Sequence, residues 1–175
     1  MLIVFTGNGK GKTTAALGCA IRSLGHSKRV LMIQFIKSGE ISGEQKFLKK
    51  FQSASWRSKF QIIPAGKGFV KILGDKLSFS VHKKAAQDAL KLAQKSILGK
   101  KWDLIILDEI NVAVNLKLIK ARDVLKIVKS AYADIILTGR SAPKIFIQKA
   151  DLVTEMQEIK HPFKKGQMAK KGIEF

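Results

Sequence analysis

The run Thr6-Gly7-Asn8-Gly9-Lys10-Gly11-Lys12-Thr13-Thr14 gathers the residue types that bind a polyphosphate. Glycines let the backbone curl until successive N–H groups point inward at phosphate oxygens. A helix starting near Thr13 adds its free N–H groups and the positive end of its dipole. Lys12 supplies a mobile cation for the outer phosphates, and the Thr13 hydroxyl can ligate Mg²⁺. The chemistry indicated is binding of a nucleoside triphosphate, ATP with magnesium, by residues Thr6–Thr14. The usual phosphate-loop pattern opens on glycine, whereas the matching position here is Thr6. Gly7 is displaced by one, so the first turn of the loop is expected to differ. Lys10 either touches phosphate or sits on the loop's solvent side.

A second set lies far along the chain. The apolar run Leu104–Leu107 ends in Asp108-Glu109. Carboxylates placed there hold Mg²⁺ directly or through water, beside the phosphate loop. The alternative makes Asp108 a helix cap and Glu109 a surface charge. With the loop present, Thr13, Asp108 and Glu109 are the candidate metal ligands, and Lys12, Thr13 and Glu109 the candidate catalytic residues. Arg140 either adds charge near the phosphates or is a surface arginine at a helix start.

These residues need a frame that brings them to one edge. Apolar runs recur as predicted strands at Leu2–Phe5, Val30–Ile36, Phe60–Ile63, Leu104–Leu107, Ile135–Leu137 and Leu152–Met156. Most are continuous, as strands buried on both faces of a parallel sheet are. Helical stripes lie between them: Leu17, Ala20, Ile21 and Leu24; Ala86, Ala89, Leu90, Ala93 and Ile97; Val124, Ile127, Val128 and Ala131. Alternating strand and helix predicts an α/β fold, a doubly wound, mainly parallel sheet flanked by helices. Ligands in such sheets sit beyond the carboxyl ends of the strands, where the loop and Asp108-Glu109 both fall.

Length and composition set the bounds. The chain has 175 residues, 46% of them hydrophobic, which suits one domain over residues 1–175. The apolar start is broken at once by Gly7, Asn8 and Gly9, unlike a signal peptide. No apolar run approaches the roughly 18–20 residues of a membrane span. The single cysteine, Cys19, cannot form an internal disulfide, so a cytoplasmic setting is expected. The three histidines are too scattered for a structural zinc site. The formal charge is +20, carried mostly by dispersed lysines with only five arginines. A solvated lysine surface explains it, and an anionic partner is the competing explanation.

Beyond the loop, the chain resembles a family in ordered blocks. Gly7–Thr14, Gln34-Phe35-Ile36-Lys37, Gly43-Glu44, Leu107-Asp108-Glu109-Ile110-Asn111 and Leu137-Thr138-Gly139-Arg140 look like those of ATP:corrinoid adenosyltransferases of the cob(I)alamin type. Ala150–Glu155, Ile159-Lys160-His161-Pro162-Phe163 and Gly172-Ile173-Glu174-Phe175 are similar too, and only Ser53–Lys100 matches weakly. The resemblance implies a single-domain P-loop, RecA-like fold and attack of corrinoid Co(I) on the 5′ carbon of ATP, with release of triphosphate. It implies ATP held in a reversed sense, a homodimer, and an apolar wedge that displaces the corrinoid's lower ligand. Phe69 falls at the wedge's phenylalanine, although ordinary loop packing also explains it, and Lys71 stands where the family has tryptophan. Many members carry an N-terminal helix over the site, whereas this chain opens on its first strand.

Two other readings compete. A plain P-loop ATPase or nucleotide kinase needs a residue that positions water or acceptor, for which Glu109 or Glu44 serves. A nucleic-acid-binding ATPase should interleave aromatics with arginines on one surface, and the sequence shows no such pattern. A last expectation joins the charge to Lys71: lysines near Phe69–Lys71 dock an acidic, flavodoxin-like electron donor.

Overall fold

The computed structural model describes residues 1–39, 42–51, 58–68, 70, 74–162 and 166–173. Six short strands form one sheet: β1 (Leu2–Thr6), β2 (Val30–Gln34), β3 (Phe60–Pro64), β4 (Leu104–Asp108), β5 (Asp134–Thr138) and β6 (Leu152–Glu155). Their order is β3-β2-β4-β5-β1-β6, and every pairing is parallel. Parallel neighbours require crossovers, which the helices supply. These are α1 (Lys12–Gly25), α2 (Gly43–Phe51), α3 (Phe79–Leu98), α4 (Ile110–Asn115), α5 (Ala121–Val128) and α6 (Lys144–Lys149).

Strand alternation sorts the core into two layers. Ile3, Phe5, Met32, Ile106 and Ile136 face Ala16, Ala20 and Leu24 of α1 and Leu48 of α2. Val4, Leu31, Ile33, Ile105, Leu107 and Leu137 face α3 to α6, with Ala89, Ala93, Val124, Ile127 and Phe146 among their partners. Every residue of β2 and β4 is buried, which is why those strands read as continuous apolar runs. The predicted doubly wound α/β sheet is the observed one.

One expectation is corrected. Ile21 was placed on the buried stripe of α1, yet it is 68% exposed. The buried line runs Lys12, Ala16, Ala20, Leu24, so the helix's facing is fixed by the turn that carries Lys12 into the loop. The expected strand Leu152–Met156 is found as β6, over Leu152–Glu155. Among the described residues it pairs with β1 alone, at the sheet edge, and all four of its residues are exposed.

Candidate active site

The strand β1 delivers Thr6 to the loop still in sheet geometry. The Thr6 carbonyl accepts from Met156 N at 2.9 Å, and Thr6 Oγ1 accepts from Ala142 N at 3.0 Å. The turn begins at Gly7, whose φ is +96°; a Cβ there would stand 2.3 Å from the Met156 carbonyl oxygen. At Gly9 a Cβ would stand 2.5 Å from the Gln157 oxygen, and Gly9 N donates to Met156 O at 2.7 Å. The loop therefore lies against the backbone that leaves β6. Displacing the first glycine by one residue keeps Thr6 in the strand and moves the tight turn to Gly7.

Lys12 opens α1 and is only 6% exposed. Its Nζ donates to the carbonyls of Gly7 and Gly9 at 2.8 and 2.6 Å, which seats the ammonium in the mouth of the loop. Burial lowers its pKa; the Glu109 charge works against that and the Arg140 charge adds to it. Asn8, Lys10 and Thr14 are exposed around the rim, so Lys10 takes the solvent-side position. Arg140 is exposed as well, and three residues separate it from the start of α6. It is no helix-start arginine, and its charge reaches both Lys12 and Glu109.

Asp108 ends β4 and is fully buried. Three neutral donors hold its carboxylate. Oδ1 accepts from Thr13 Oγ1 at 2.8 Å and from Thr138 Oγ1 at 2.7 Å, and Oδ2 accepts from Gln34 Nε2 at 3.3 Å. Sheet register explains the meeting, since Gln34 pairs with Asp108 across β2 and β4. β5 lies between β4 and β1, and its last residue, Thr138, bridges the gap. Thr138 Oγ1 also accepts from Glu109 N at 3.0 Å.

Glu109 turns the chain from β4 into α4 with φ 59°. A Cβ on Gly139 would lie 3.1 Å from Glu109 Oε2, so glycine at 139 leaves room for this carboxylate. Burial pushes the Glu109 carboxyl from its ordinary 4.5 up to about 7, and the Asp108 charge adds to the rise. Lys12, Lys37 and Arg140 pull it back. Among the described residues no donor reaches the Glu109 carboxylate.

The donor set suits Mg²⁺. Thr13 gives its hydroxyl proton to Asp108, which leaves the oxygen's lone pairs for a cation. The unsatisfied Glu109 carboxylate is a hard oxygen ligand of the kind that ion prefers. Asp108 accepts from three donors and is tied to the site through the Thr13 hydroxyl. Phe69 and Lys71 lie outside the described residues, as do Phe163, Glu174 and Phe175.

A family profile described as "ATP:corrinoid adenosyltransferase BtuR/CobO/CobP" matches residues 1–175. The chain belongs to this family. A corrinoid adenosyltransferase of Pseudomonas aeruginosa is 35% identical over 177 residues, covering 100% of this chain and 83% of the relative. One from a Sinorhizobium species is 34% identical over 178 residues, 100% of this chain and 80% of its own. That of Escherichia coli K12 is 31% identical over 177 residues, 100% and 85%. Among solved structures, the KaiC-like protein PH0186 of Pyrococcus horikoshii OT3 aligns with a TM-score of 0.55. It is 16% identical over 91% of this chain and 74% of that one, a likeness of fold alone.

Three polar residues of this adenosyltransferase were quoted in motifs without a role: Gln34, Thr138 and Asn111. Gln34 and Thr138 grip Asp108. Asn111, fully buried on α4, donates from Nδ2 to the Gly139 carbonyl at 3.0 Å and so ties α4 to the turn after β5. The signal was present: β1, β2, β4 and β5 are apolar strands that each end in a buried polar residue, Thr6, Gln34, Asp108 and Thr138.

Glu109 also sets a pH dependence. A carboxyl whose folded pKa stands above its unfolded value binds protons more tightly when folded. Its favourable contribution is complete below about pH 4.5 and is lost as pH rises through about 7. With magnesium chelated, the melting temperature of the wild type should fall between pH 5 and 8 more than that of Glu109→Gln. Equal pH slopes for the two proteins would refute the raised pKa of the half-buried Glu109 carboxyl.

Proposed function

We propose that this enzyme transfers the 5′-deoxyadenosyl group of ATP to the Co(I) of a corrinoid, in corrinoid biosynthesis or salvage. The cobalt electron pair forms the Co–C bond, the C5′–O bond breaks, and its electron pair departs on triphosphate, leaving cobalt as Co(III). Displacement at carbon needs no general base; it needs alignment and stabilisation of charge growing on the leaving group. The full-length family match, joined to a phosphate loop whose Lys12, Thr13 and Asp108 interlock, carries this reading. Loop amides of residues 7–13 and Lys12 bind the polyphosphate, and Arg140 adds charge at its rim. Thr13 and Glu109 would hold Mg²⁺, which when bound supplies further charge neutralisation at the phosphates. Chemically reduced corrinoid mixed with ATP should give the spectrum of an alkylated corrinoid and one triphosphate per turnover.

A carboxyl near pH 7 beside a phosphate loop favours one other reading, ATP hydrolysis with Glu109 as base. ADP and phosphate as products, with no corrinoid alkylation, would select it.

The charge of +20 supports docking of an acidic, flavodoxin-like donor that makes Co(I), near Phe69 and Lys71. Activity with such a donor should fall steeply from low to physiological salt, and activity with pre-reduced corrinoid should not. Lys71→Trp should speed only the route from Co(II). Equal salt dependence removes the docking, and a Lys71→Trp protein no faster from Co(II) removes the wedge assignment.

A further inference from the structure

Lys37 stands three residues beyond β2, on a stretch fixed from both sides. Phe35 N donates to Asp108 O at 2.9 Å, which extends the β2–β4 pairing past the strand end. From the other side Gly66 N donates to Lys37 O at 3.1 Å, and Gly68 N to Ile36 O at 2.8 Å. Lys37 is thus placed between the Asp108–Glu109 corner and the segment that leads into Phe69.

Its side chain is fixed too. Lys37 Nζ donates to Glu44 Oε1 at 2.6 Å, and the same oxygen accepts from Gln34 Nε2 at 3.0 Å. Gln34 Nε2 also reaches Asp108 Oδ2, and Gln34 Oε1 accepts from Gln45 Nε2 at 2.5 Å. One network therefore joins Lys37 to the carboxylate that orients Thr13. Burial works against charge on Glu44, but the hydrogen bond and charge of Lys37 keep its carboxyl below the usual range. The Lys37 side chain is 33% exposed, and an ion pair so open to solvent adds little to stability. What the pairing does supply is position. An ammonium has three donors, and among the described residues Glu44 is the one acceptor Lys37 meets. Its charge falls on Glu109, together with those of Lys12 and Arg140.

We propose that Lys37 is a second lysine of the phosphate site, aimed by Glu44 and Gln34 at the charge that grows on the departing triphosphate. The proposal rests on the adenosyltransferase reading. In that reaction the C5′–O bond must break at the inner end of the metal-held phosphates, and Lys37 stands between the Asp108–Glu109 corner and the backbone of Gly66 and Gly68. Lys12, inside the loop, serves the outer phosphates. Lys37 serves the end nearest the breaking bond, so its contact strengthens as the bond opens. Glu44 and Gln34 are positioning residues.

The test measures steady-state turnover with pre-reduced corrinoid, and binding of inorganic triphosphate with Mg²⁺ by calorimetry. Lys37→Met should lower kcat about 10–100-fold and shift KM for ATP less than about 3-fold, the signature of a contact made in the transition state. It should weaken triphosphate binding at least about 10-fold. Lys37→Arg should restore most of both, and Glu44→Gln, with the charge aimed less well, should fall between. Lys37→Met with wild-type kcat and wild-type triphosphate affinity, at an unchanged melting temperature, overturns the proposal. A wild-type protein that neither binds triphosphate nor releases it from ATP overturns the adenosyltransferase reading itself, and this inference with it.

Discussion

Lys12→Ala is expected to lower turnover by about two orders of magnitude or more, since one preorganised charge-stabilising contact is typically worth 10²–10³. Its ammonium is already in the loop's mouth, held by the Gly7 and Gly9 carbonyls, so little reorganisation precedes its use. Burial that lowers its pKa also leaves its charge poorly hydrated, which strengthens attraction to a phosphate entering the same space. The loop's path should survive loss of the two lysine contacts, because Gly7 and Gly9 also pack on the Met156–Gln157 backbone and Gly9 N still donates to Met156 O. Loss of activity should therefore come with an unchanged circular dichroism spectrum. A folded Lys12→Ala protein with wild-type turnover sinks the assignment of the phosphate site.

The second large effect concerns the metal. Glu109→Gln keeps size and hydrogen-bonding capacity but removes the charge a hard cation prefers, so the magnesium concentration for half-maximal activity should rise about 10-fold or more. Asp108→Asn should act differently. Its amide presents only one oxygen to Thr13, Thr138 and Gln34, so it disturbs the hydroxyl of Thr13 and with it the site's shape. A lower melting temperature should accompany its activity loss, whereas Glu109→Gln should fold normally. An unchanged magnesium dependence in both proteins would refute the metal role of this corner.

Much of this was legible because local signals agreed. The loop residues, the apolar strands and the carboxylates of Asp108-Glu109 are each contiguous, and contiguity is what a sequence displays. What was not legible depends on register and facing. Gln34 and Asp108 meet only because β2 and β4 are adjacent in one register. The insertion of β5 between β4 and β1, which makes Thr138 the bridge, has no marker in the chain order. Ile21 misled because Leu17, Ala20, Ile21 and Leu24 fit a helical period as well as the true line does. The edge position of β6 was not legible because an apolar strand carries the same letters at an edge as in the middle.

The seating of Gly7 and Gly9 on residues 156 and 157 has a consequence for how this fold tolerates change. Part of the mould for the nucleotide is made of peptide groups near the far end of the chain, and peptide groups have no residue identity. The side chain of exposed Gln157 is free to drift, while the course of its main chain is not. A proline at 156 would remove the amide that Thr6 accepts from, and a one-residue deletion just after β6 would pull the mould away from both glycines. Either lesion reaches the phosphates with every motif residue intact, so a survey of variants by motif alone would score such a protein as whole.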